Sequence, residues 1–540
     1  MRRSYFSVDP KRNRFLRTAA YDGLIDMSEW FVTLGCRLAA ARSPAGFSVR
    51  FTAQCLAVCS IVWLVGLTAH AAERSPNILW LIGENIDLDL GCYGAQHVST
   101  PNLDRLAREG VRWTRAFATA PVCSASRSAF MTGMYQTTIG AHNARSHRDG
   151  GHPLPPGVRT VMARLKNAGY FTANVRRVGN HTVGTGKVDL NFDVTPQLFD
   201  SDDWSALANH QPFFAQVNSP EVEYDIYDRQ SARKPRVTWV GEAEHAPIAK
   251  PEAVKPPPYY PDHPIVREEW ARYLNSVSGM DRRIGIVLKQ LELDGLTDDT
   301  IVIFFADNGR LEPRGIHWCY DSGLHVPLIV RWPRNFPPPA GFQPGTVSEA
   351  MVSLIDVTAA TLALASVPIP ALMQGRNFLD PKVPARTMAF SARDRIDETV
   401  QHIRTVRTSQ YRYIRNFMPE QSFTALNRYK EKCFPIMPLM RQLHAAGKLS
   451  GAPAALMAPR LPDEELYDLA ADPFEIHNLA TSPDEDQRRT LVNLRSAVQR
   501  WIVETADQGE RLERPEVVAP FAQEMDNWFG TPAWFNRQTQ

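Results

Sequence analysis

Apolar residues along the chain form short continuous runs that alternate with longer segments of helical periodicity. Ile78–Ile82 and Thr300–Phe305 are unbroken apolar runs, which is typical of strands buried on both faces of a sheet. From Arg267 to Leu293, apolar residues recur at helical spacing until Gly295. Because strands alternate with helices, the sequence predicts an α/β fold in which helices cover both faces of the sheet.

The pattern changes after about residue 385, where short strands and one amphipathic helix replace the long alternation. Thr405–Arg407 and Tyr411–Phe417 predict strands, and a helix is expected to begin after Ser482–Pro483. We therefore predict a smaller C-terminal α+β subdomain. The predicted organisation is a leader over 1–72, a catalytic domain over 76–384, the subdomain over 385–510 and a tail over 511–540.

Charge is distributed unevenly between the leader and the rest of the 540-residue chain. Residues 1–72 contain nine Lys/Arg and four Asp/Glu, so the remainder has 51 basic and 54 acidic residues, a formal charge of −3. This balance argues against nucleic acid as a partner. The apolar run Cys55–Leu67, followed by small residues at the −1 and −3 positions of a cut after Ala71, predicts a secretory signal and a periplasmic or secreted protein. The run is short for a membrane anchor, the alternative hypothesis, so no stable membrane insertion is expected.

Oxygen-bearing side chains follow both apolar strands. Glu84–Asn85 come after the first strand, and Asp307–Asn308 come after the second. Since ligands of open α/β sheets bind at the carboxyl ends of strands, the two pairs are expected to converge. Their hard oxygen atoms suit Ca²⁺ or Mg²⁺. A plain turn is the alternative interpretation of the second pair, which Gly309 follows.

Cys123 lies where a helix is expected to start. Small residues and possible N-caps follow it, and Arg127–Met131 predict a helix that ends at Gly133. Backbone N–H groups and the helix dipole favour an anion at such a position. Seven scattered cysteines without a CxxC pair indicate neither a disulfide framework nor a zinc site. The alternative role for Cys123 is that of a small buried apolar side chain.

The segment Cys123–Ser124–Ala125–Ser126–Arg127, continued by Thr132–Gly133, resembles the motif of the type I, formylglycine-dependent sulfatases of the alkaline-phosphatase-like superfamily. The resemblance implies a mixed sheet sandwiched by helices. It also implies that a formylglycine-generating enzyme converts Cys123 to formylglycine, whose hydrated aldehyde attacks sulfur while Arg127 holds it. The implied cation, Ca²⁺ or Mg²⁺, has the ligands Glu84, Asn85, Cys123, Asp307 and Asn308.

Other residues of the implied site match the pattern of the family less closely. Lys187 matches a lysine that contacts sulfate in the family, with an ordinary surface lysine as the alternative. Ile316 occupies the position of a second basic residue, so His317 or Arg314 is expected to take that role, although His317 has a structural alternative. No histidine follows the predicted strand Phe213–Val217.

Asn85 stands where the family usually has a second acidic residue, which predicts weaker cation binding. Asp87 and Asp89 are close enough along the chain to compensate. Solvent exposure is nevertheless the expectation for both.

Several further stretches resemble bacterial relatives of the heparan N-sulfatase group: Gly133–Gln136, Ile139–Asn143, Tyr259–Asp262, Asp321–Pro327, Leu466–Leu469 and Asp472–Leu479. The predicted function is a secreted sulfatase that hydrolyses sulfate esters or sulfamates of a sulfated glycan, or a small sulfate ester. One alternative is a pseudoenzyme that binds sulfated glycans. The other is a phosphoesterase or phosphonate hydrolase, which usually has Ser or Thr in place of Cys123.

Overall fold

The computed structural model describes residues 74–147, 150–194, 197–220, 222 and 248–538. The predicted leader and its cleavage site lie outside these residues. Within the described part of the chain, no helix is both long enough and apolar enough to cross a membrane.

A ten-stranded mixed sheet forms the centre of the structure. Its strand order is β10-β2-β8-β7-β1-β6-β3-β4, with β5 beside β3 and β9 beside β2. β1 pairs in parallel with β6 and β7, whereas β8 is antiparallel to β2 and β7. The strands are β1 (Asn77–Gly83), β2 (Val111–Phe117), β3 (Phe171–Val178), β4 (His181–Thr182), β5 (Ser201–Asp203), β6 (Phe213–Ser219), β7 (Thr300–Ala306), β8 (His325–Arg331), β9 (Val347–Ser348) and β10 (Val352–Ser353).

Helices cover this sheet, as the alternation of apolar runs predicts. Those of the large-sheet region are α1 (Pro101–Glu109), α2 (Cys123–Thr132), α3 (Val161–Asn167), α4 (Pro264–Leu293), α5 (Asp321–Leu324) and α6 (Ile355–Leu364). The proline-rich stretch before α4 has no regular structure over its described residues, in agreement with its composition. The helix α2 begins at Cys123, four residues before the predicted helical stretch Arg127–Met131. Its N-cap residue is Val122, which makes no side-chain capping bond.

A second, four-stranded antiparallel sheet follows in the order β11-β12-β13-β14. Its strands are β11 (Ala389–Arg393), β12 (Ile403–Arg407), β13 (Tyr411–Asn416) and β14 (Glu464–Asp468). The helices of this region are α7 (Arg428–Cys433), α8 (Ile436–Ala445), α9 (Gly451–Leu456), α10 (Glu485–Glu504), α11 (Pro515–Phe529) and α12 (Ala533–Gln538). The predicted amphipathic helix is α10, whose Leu494, Val498 and Trp501 pack in one core with Val406 and Leu466 of the sheet. The boundaries at 384 and 510 stay predictions.

Candidate active site

The two oxygen-bearing pairs meet at the carboxyl ends of β1 and β7. Gly83 and Ala306 are partners in neighbouring parallel strands, so the residues that follow them leave the sheet side by side. The backbone N–H of Asn85 donates to Asp307 Oδ1 at 3.2 Å, and Asn308 Nδ2 donates to Asn85 Oδ1 at 2.8 Å. The expected convergence therefore occurs, with Glu84, Asn85, Asp307 and Asn308 all fully buried.

Arg127 connects three strand ends through its guanidinium. Nε donates to Asp307 Oδ2 at 3.0 Å, one terminal nitrogen donates to Glu84 Oε1 at 3.0 Å, and the other donates to Asn218 Oδ1 at 2.6 Å. The side chain is fully buried. Burial lowers the pKa of Arg127, but the carboxylates of Asp307 and Glu84 outweigh it and raise the pKa above its usual value. Arg127 is therefore a permanent cation with fixed geometry.

Cys123 is the first residue of α2, and its side chain faces the oxygen set. Its Sγ lies 3.8 Å from Asn85 Oδ1. Cys123 is 6% exposed and lines a pocket of about 30 Å³, to which Arg145, Ile316 and His317 also contribute. The cysteine is thus buried at a helix start and still borders a space that a small group can enter.

The donor set of this site suits a hard cation. Asn308 Oδ1 and Asn85 Nδ2 are buried without a hydrogen-bond partner, which is unusual inside a protein. Among the described residues, no group of three His, Cys, Asp or Glu side chains is placed to hold a metal ion. The oxygens of Glu84, Asn85, Asp307 and Asn308 nevertheless fit Ca²⁺ or Mg²⁺ chemically. Arg127 and Lys187 already balance both carboxylates.

Lys187 lies inside the same group rather than on the surface. Its Nζ donates to Glu84 Oε2 at 3.2 Å and lies 4.0 Å from Asp189 Oδ2. The side chain is 11% exposed, so the surface-lysine interpretation is wrong. A cation at this depth needs an anion beside it, and Glu84 supplies one.

Asn218 is a site residue that sequence reasoning missed. It is the sixth residue of the buried strand β6, directly after the predicted strand Phe213–Val217, which no histidine follows. Its Oδ1 accepts from Arg127, and its Nδ2 donates to Asn174 Oδ1 at 3.1 Å. The available signal was its place at the end of a strand next to β1.

His317 lines the Cys123 pocket in an unusual backbone conformation with φ of 73°. Its backbone N–H donates to the Pro121 carbonyl at 2.7 Å, and its ring Nδ1 is buried without a partner. Burial lowers its pKa well below the usual value, and the nearby cations Lys430, Arg393 and Arg145 lower it further. The imidazole is therefore neutral near pH 7, with a ring nitrogen available to a ligand.

A family model described as Sulfatase matches residues 76–367, more than half of the chain. The chain belongs to the sulfatase family. A second model, described as the C-terminal part of N-sulphoglucosamine sulphohydrolase, matches residues 315–432. Both matches agree with the resemblance of the Cys123 segment and with the predicted enzyme class, a hydrolase of sulfuric esters.

Named sulfatases are similar to this chain over most of its length. An ulvan-active sulfatase of Formosa agariphila is 32% identical over 81% of this chain and 76% of its own. Human N-sulphoglucosamine sulphohydrolase is 28% identical over 84% of this chain and 94% of its own. A solved structure in complex with its substrate D-glucosamine-2-N,6-O-disulfate has a TM-score of 0.53 and 16% identity, covering 80% of this chain and 99% of that one. The expected alkaline-phosphatase-like sulfatase fold is confirmed.

The structure excludes Arg314, one of the two candidates for the second basic position near this sulfatase site, and contradicts the expected exposure of Asp87 and Asp89. Arg314 does not reach the Cys123 pocket, because its guanidinium donates to the carbonyls of Phe474 and Glu475 and stacks on Tyr320. Asp87 and Asp89 are buried rather than solvent-exposed.

The reason for the second difference is Arg310. It forms two hydrogen bonds to Asp89, at 2.6 and 2.9 Å, and lies 3.3 Å from Asp87. Both carboxylates therefore face Arg310, although burial still raises the pKa of Asp87 to about 7.

Proposed function

We propose that this protein is an exported sulfatase that removes sulfate from a sulfated polysaccharide, using a formylglycine derived from Cys123 and a divalent cation, Ca²⁺ or Mg²⁺. The support for the reaction class is membership of the sulfatase family. The observation that carries the mechanism is the place of Cys123, buried at the start of α2 with Sγ 3.8 Å from Asn85 Oδ1.

Each site residue has a role in this proposal. Arg127 fixes Glu84 and Asp307 relative to α2, and its forked bonds leave it no freedom to rotate. Lys187 brings a cation that can stabilise negative charge on the oxygens of the sulfate. To His317, which lines the pocket with a neutral imidazole and an unpartnered Nδ1, we assign the role of holding or passing a proton for the leaving group.

Glu84, Asn85, Asp307, Asn308 and the modified residue 123 are the proposed ligands of the cation. When bound, a divalent cation supplies Lewis-acid charge for the sulfate oxygens. Because Asn85 replaces a carboxylate and Arg127 already contacts both acidic ligands, we expect modest affinity.

The proposed substrate class is a sulfated glycan with either ester or sulfamate linkage. One relative is named for activity on ulvan and another for the hydrolysis of N-sulphoglucosamine. Sulfate release from ulvan oligosaccharides, from N-sulfated heparan oligosaccharides and from a small aryl sulfate separates these linkages. Turnover of the aryl sulfate alone would contradict the polysaccharide assignment.

The decisive experiment is mass spectrometry of the Cys123 peptide from protein made in its native host. Formylglycine at position 123 together with sulfate release supports the proposal, and an unmodified cysteine contradicts it. N-terminal sequencing of the same material tests export, since a chain that begins at Met1 would contradict cleavage of the leader.

A glycan-binding pseudoenzyme is the competing hypothesis, and two observations favour it. Asn85 removes one negative charge from the cation site, and apolar Ile316 lines the pocket where relatives carry a basic residue. Saturable glycan binding without sulfate release, by protein whose Cys123 is fully converted, would establish the binder and refute catalysis.

A further inference from the structure

The wall of the Cys123 pocket carries one permanent cation that the proposed mechanism does not use. Among the described residues that line the pocket, Arg145 is the one lysine or arginine. Two carboxylates, Asp189 and Asp397, line the pocket as well, and His317 is neutral near pH 7. A sulfated substrate that enters the pocket therefore meets acidic side chains and, at Arg145, a positive charge.

The backbone of Arg145 is fixed close to Cys123. Its N–H donates to the hydroxyl of Ser124, the residue after Cys123, at 3.1 Å. The preceding N–H, of Ala144, donates to the carbonyl of Arg395 at 2.9 Å. Arg145 has a φ of 59°, in the left-handed region that an arginine rarely adopts. Because surrounding contacts must maintain such a conformation, the position of Arg145 relative to the start of α2 is well defined.

Two side chains orient the guanidinium of Arg145. Its Nη1 lies 3.3 Å from Asp397 Oδ1, and its central carbon lies 5.7 Å from the ring centroid of Trp528. The Arg145 side chain is 20% exposed, whereas that of Asp397 is 4% exposed. A guanidinium has five N–H donors, so it can bind a second anion while it keeps a carboxylate partner. The side chain is therefore held in place and remains accessible to a ligand.

The other cations near this wall are directed elsewhere. The ammonium of Lys430 donates to two backbone carbonyls, and the guanidinium of Arg393 stacks on Trp318. Neither residue lines the pocket. Burial is the main cause of the low pKa of His317, and the charges of Lys430, Arg393 and Arg145 follow. Arg145 is thus close enough to act on a second residue of the wall.

We propose that Arg145 binds the sulfate group of the substrate in the Cys123 pocket and so selects an anionic glycan, with Asp397 and Trp528 as its positioning residues. A guanidinium can offer two parallel N–H donors to the oxygens of an anion such as sulfate. The inference rests on the proposed sulfated substrate, but it does not depend on turnover, since binding precedes the reaction.

Calorimetric titration of the full chain carrying Cys123→Ala, which cannot turn over, tests this assignment. The probes are ulvan oligosaccharides and N-sulfated heparan oligosaccharides, and their chemically desulfated forms are the matched controls. We expect at least one sulfated probe to bind more tightly than its desulfated form. Arg145→Gln should weaken that binding by about tenfold or more, because it removes a charge-assisted contact. Arg334→Gln, at a side chain that is 86% exposed, should leave the affinity unchanged.

Unchanged affinity in folded Arg145→Gln would overturn the proposal, as would equal affinity for sulfated and desulfated probes. Should Arg145→Gln fail to fold, Arg145→Lys decides, since it keeps a positive charge beside Asp397 and loses only the forked geometry. We expect Arg145→Lys to weaken binding by about threefold or more, and wild-type affinity would overturn the proposal.

The outcome also separates this inference from the proposed function. Binding that depends on Arg145, together with no sulfate release by fully converted wild type, would refute catalysis and support the inference. Sulfate release by the wild type, together with binding that does not depend on Arg145, would support the sulfatase and overturn the inference.

Discussion

Two pairs of buried carboxylates in this protein differ in what surrounds them. Glu84 and Asp307 contact Arg127, and Glu84 also contacts Lys187, so their negative charges are balanced. Glu269 and Glu312 have no cation within hydrogen-bond distance, and burial raises their pKa values to about 8 and about 7. Burial alone therefore does not decide the surroundings of a carboxylate. The first pair lies between cations beside Cys123, whereas the second lacks a close cation and has raised pKa values.

The largest expected effect is that of Cys123→Ala, at the site formed around Glu84 and Asp307. We expect Cys123→Ala to abolish sulfate release, because a methyl group cannot be converted to an aldehyde. Sulfate release is measured with wild-type protein whose conversion is confirmed. Cys433→Ala is the matched control, since this cysteine is fully buried in the core. It should retain turnover and lose about 1–2 kcal/mol of stability. Equal turnover by wild type and Cys123→Ala would refute the mechanism.

Arg127→Lys tests whether geometry as well as charge is needed beside Glu84 and Asp307. An ammonium keeps the positive charge but cannot make the three directed bonds of the guanidinium. We expect kcat to fall by about 100-fold or more, comparable to the loss of one oxyanion donor. Arg176→Lys, at an exposed arginine, should be neutral. Unchanged kcat in Arg127→Lys would contradict the positioning role.

Addition of Ca²⁺ should distinguish the two pairs, because we expect the cation to bind beside Glu84 and Asp307 and not beside Glu269 and Glu312. We expect Ca²⁺ to raise the thermal midpoint relative to EDTA by about a few degrees, through binding to the folded state alone. Asp307→Asn should remove this increase. Asp202→Asn, at an exposed carboxylate, should preserve it. Identical midpoints of the wild type in EDTA and in Ca²⁺ would contradict the cation site.

Glu312→Gln tests the second pair through the pH dependence of stability. A carboxyl whose folded pKa is about 7 and whose ordinary value is 4.5 destabilises the fold as pH rises through that interval, because the unfolded chain ionises first. The 2.5-unit difference corresponds to at most about 3 kcal/mol. Glutamine cannot ionise, so the variant should gain stability relative to wild type between about pH 5 and about pH 8. Chemical denaturation at both pH values measures this, and a pH-independent difference would contradict the assignment.

The sequence predicted those site residues whose positions follow from their immediate neighbours in the chain. Glu84–Asn85 and Asp307–Asn308 each follow an apolar strand, and parallel strands bring their ends together by geometry. The start of α2 was placed too late, because Val122 provides no side-chain cap to mark it. The ligand and catalytic roles of these residues stay predictions.

What the sequence could not predict depends on pairing between distant residues. Asp87 and Asp89 were expected in solvent, but both are buried beside Arg310, which lies 221 positions after Asp89 along the chain. Asn218 offers only a weak signal, its place at the end of a strand next to β1, because an amide at a strand end is common. Its bond to Arg127 is what identifies it as a site residue. Long side chains at such separations find their partners through the tertiary fold, which periodicity does not encode.

The burial of α2 has a consequence for the biogenesis of the protein. All ten residues of Cys123–Thr132 are buried, so a modifying enzyme cannot bind this segment once the domain has folded. The Ser126 hydroxyl donates to the Asp307 carbonyl, and that contact cannot form until 181 further residues have been synthesised. At about 5–20 residues per second, this delay is roughly 10–40 s. The proposed conversion of Cys123 therefore has to occur before α2 is packed into the fold, in competition with folding.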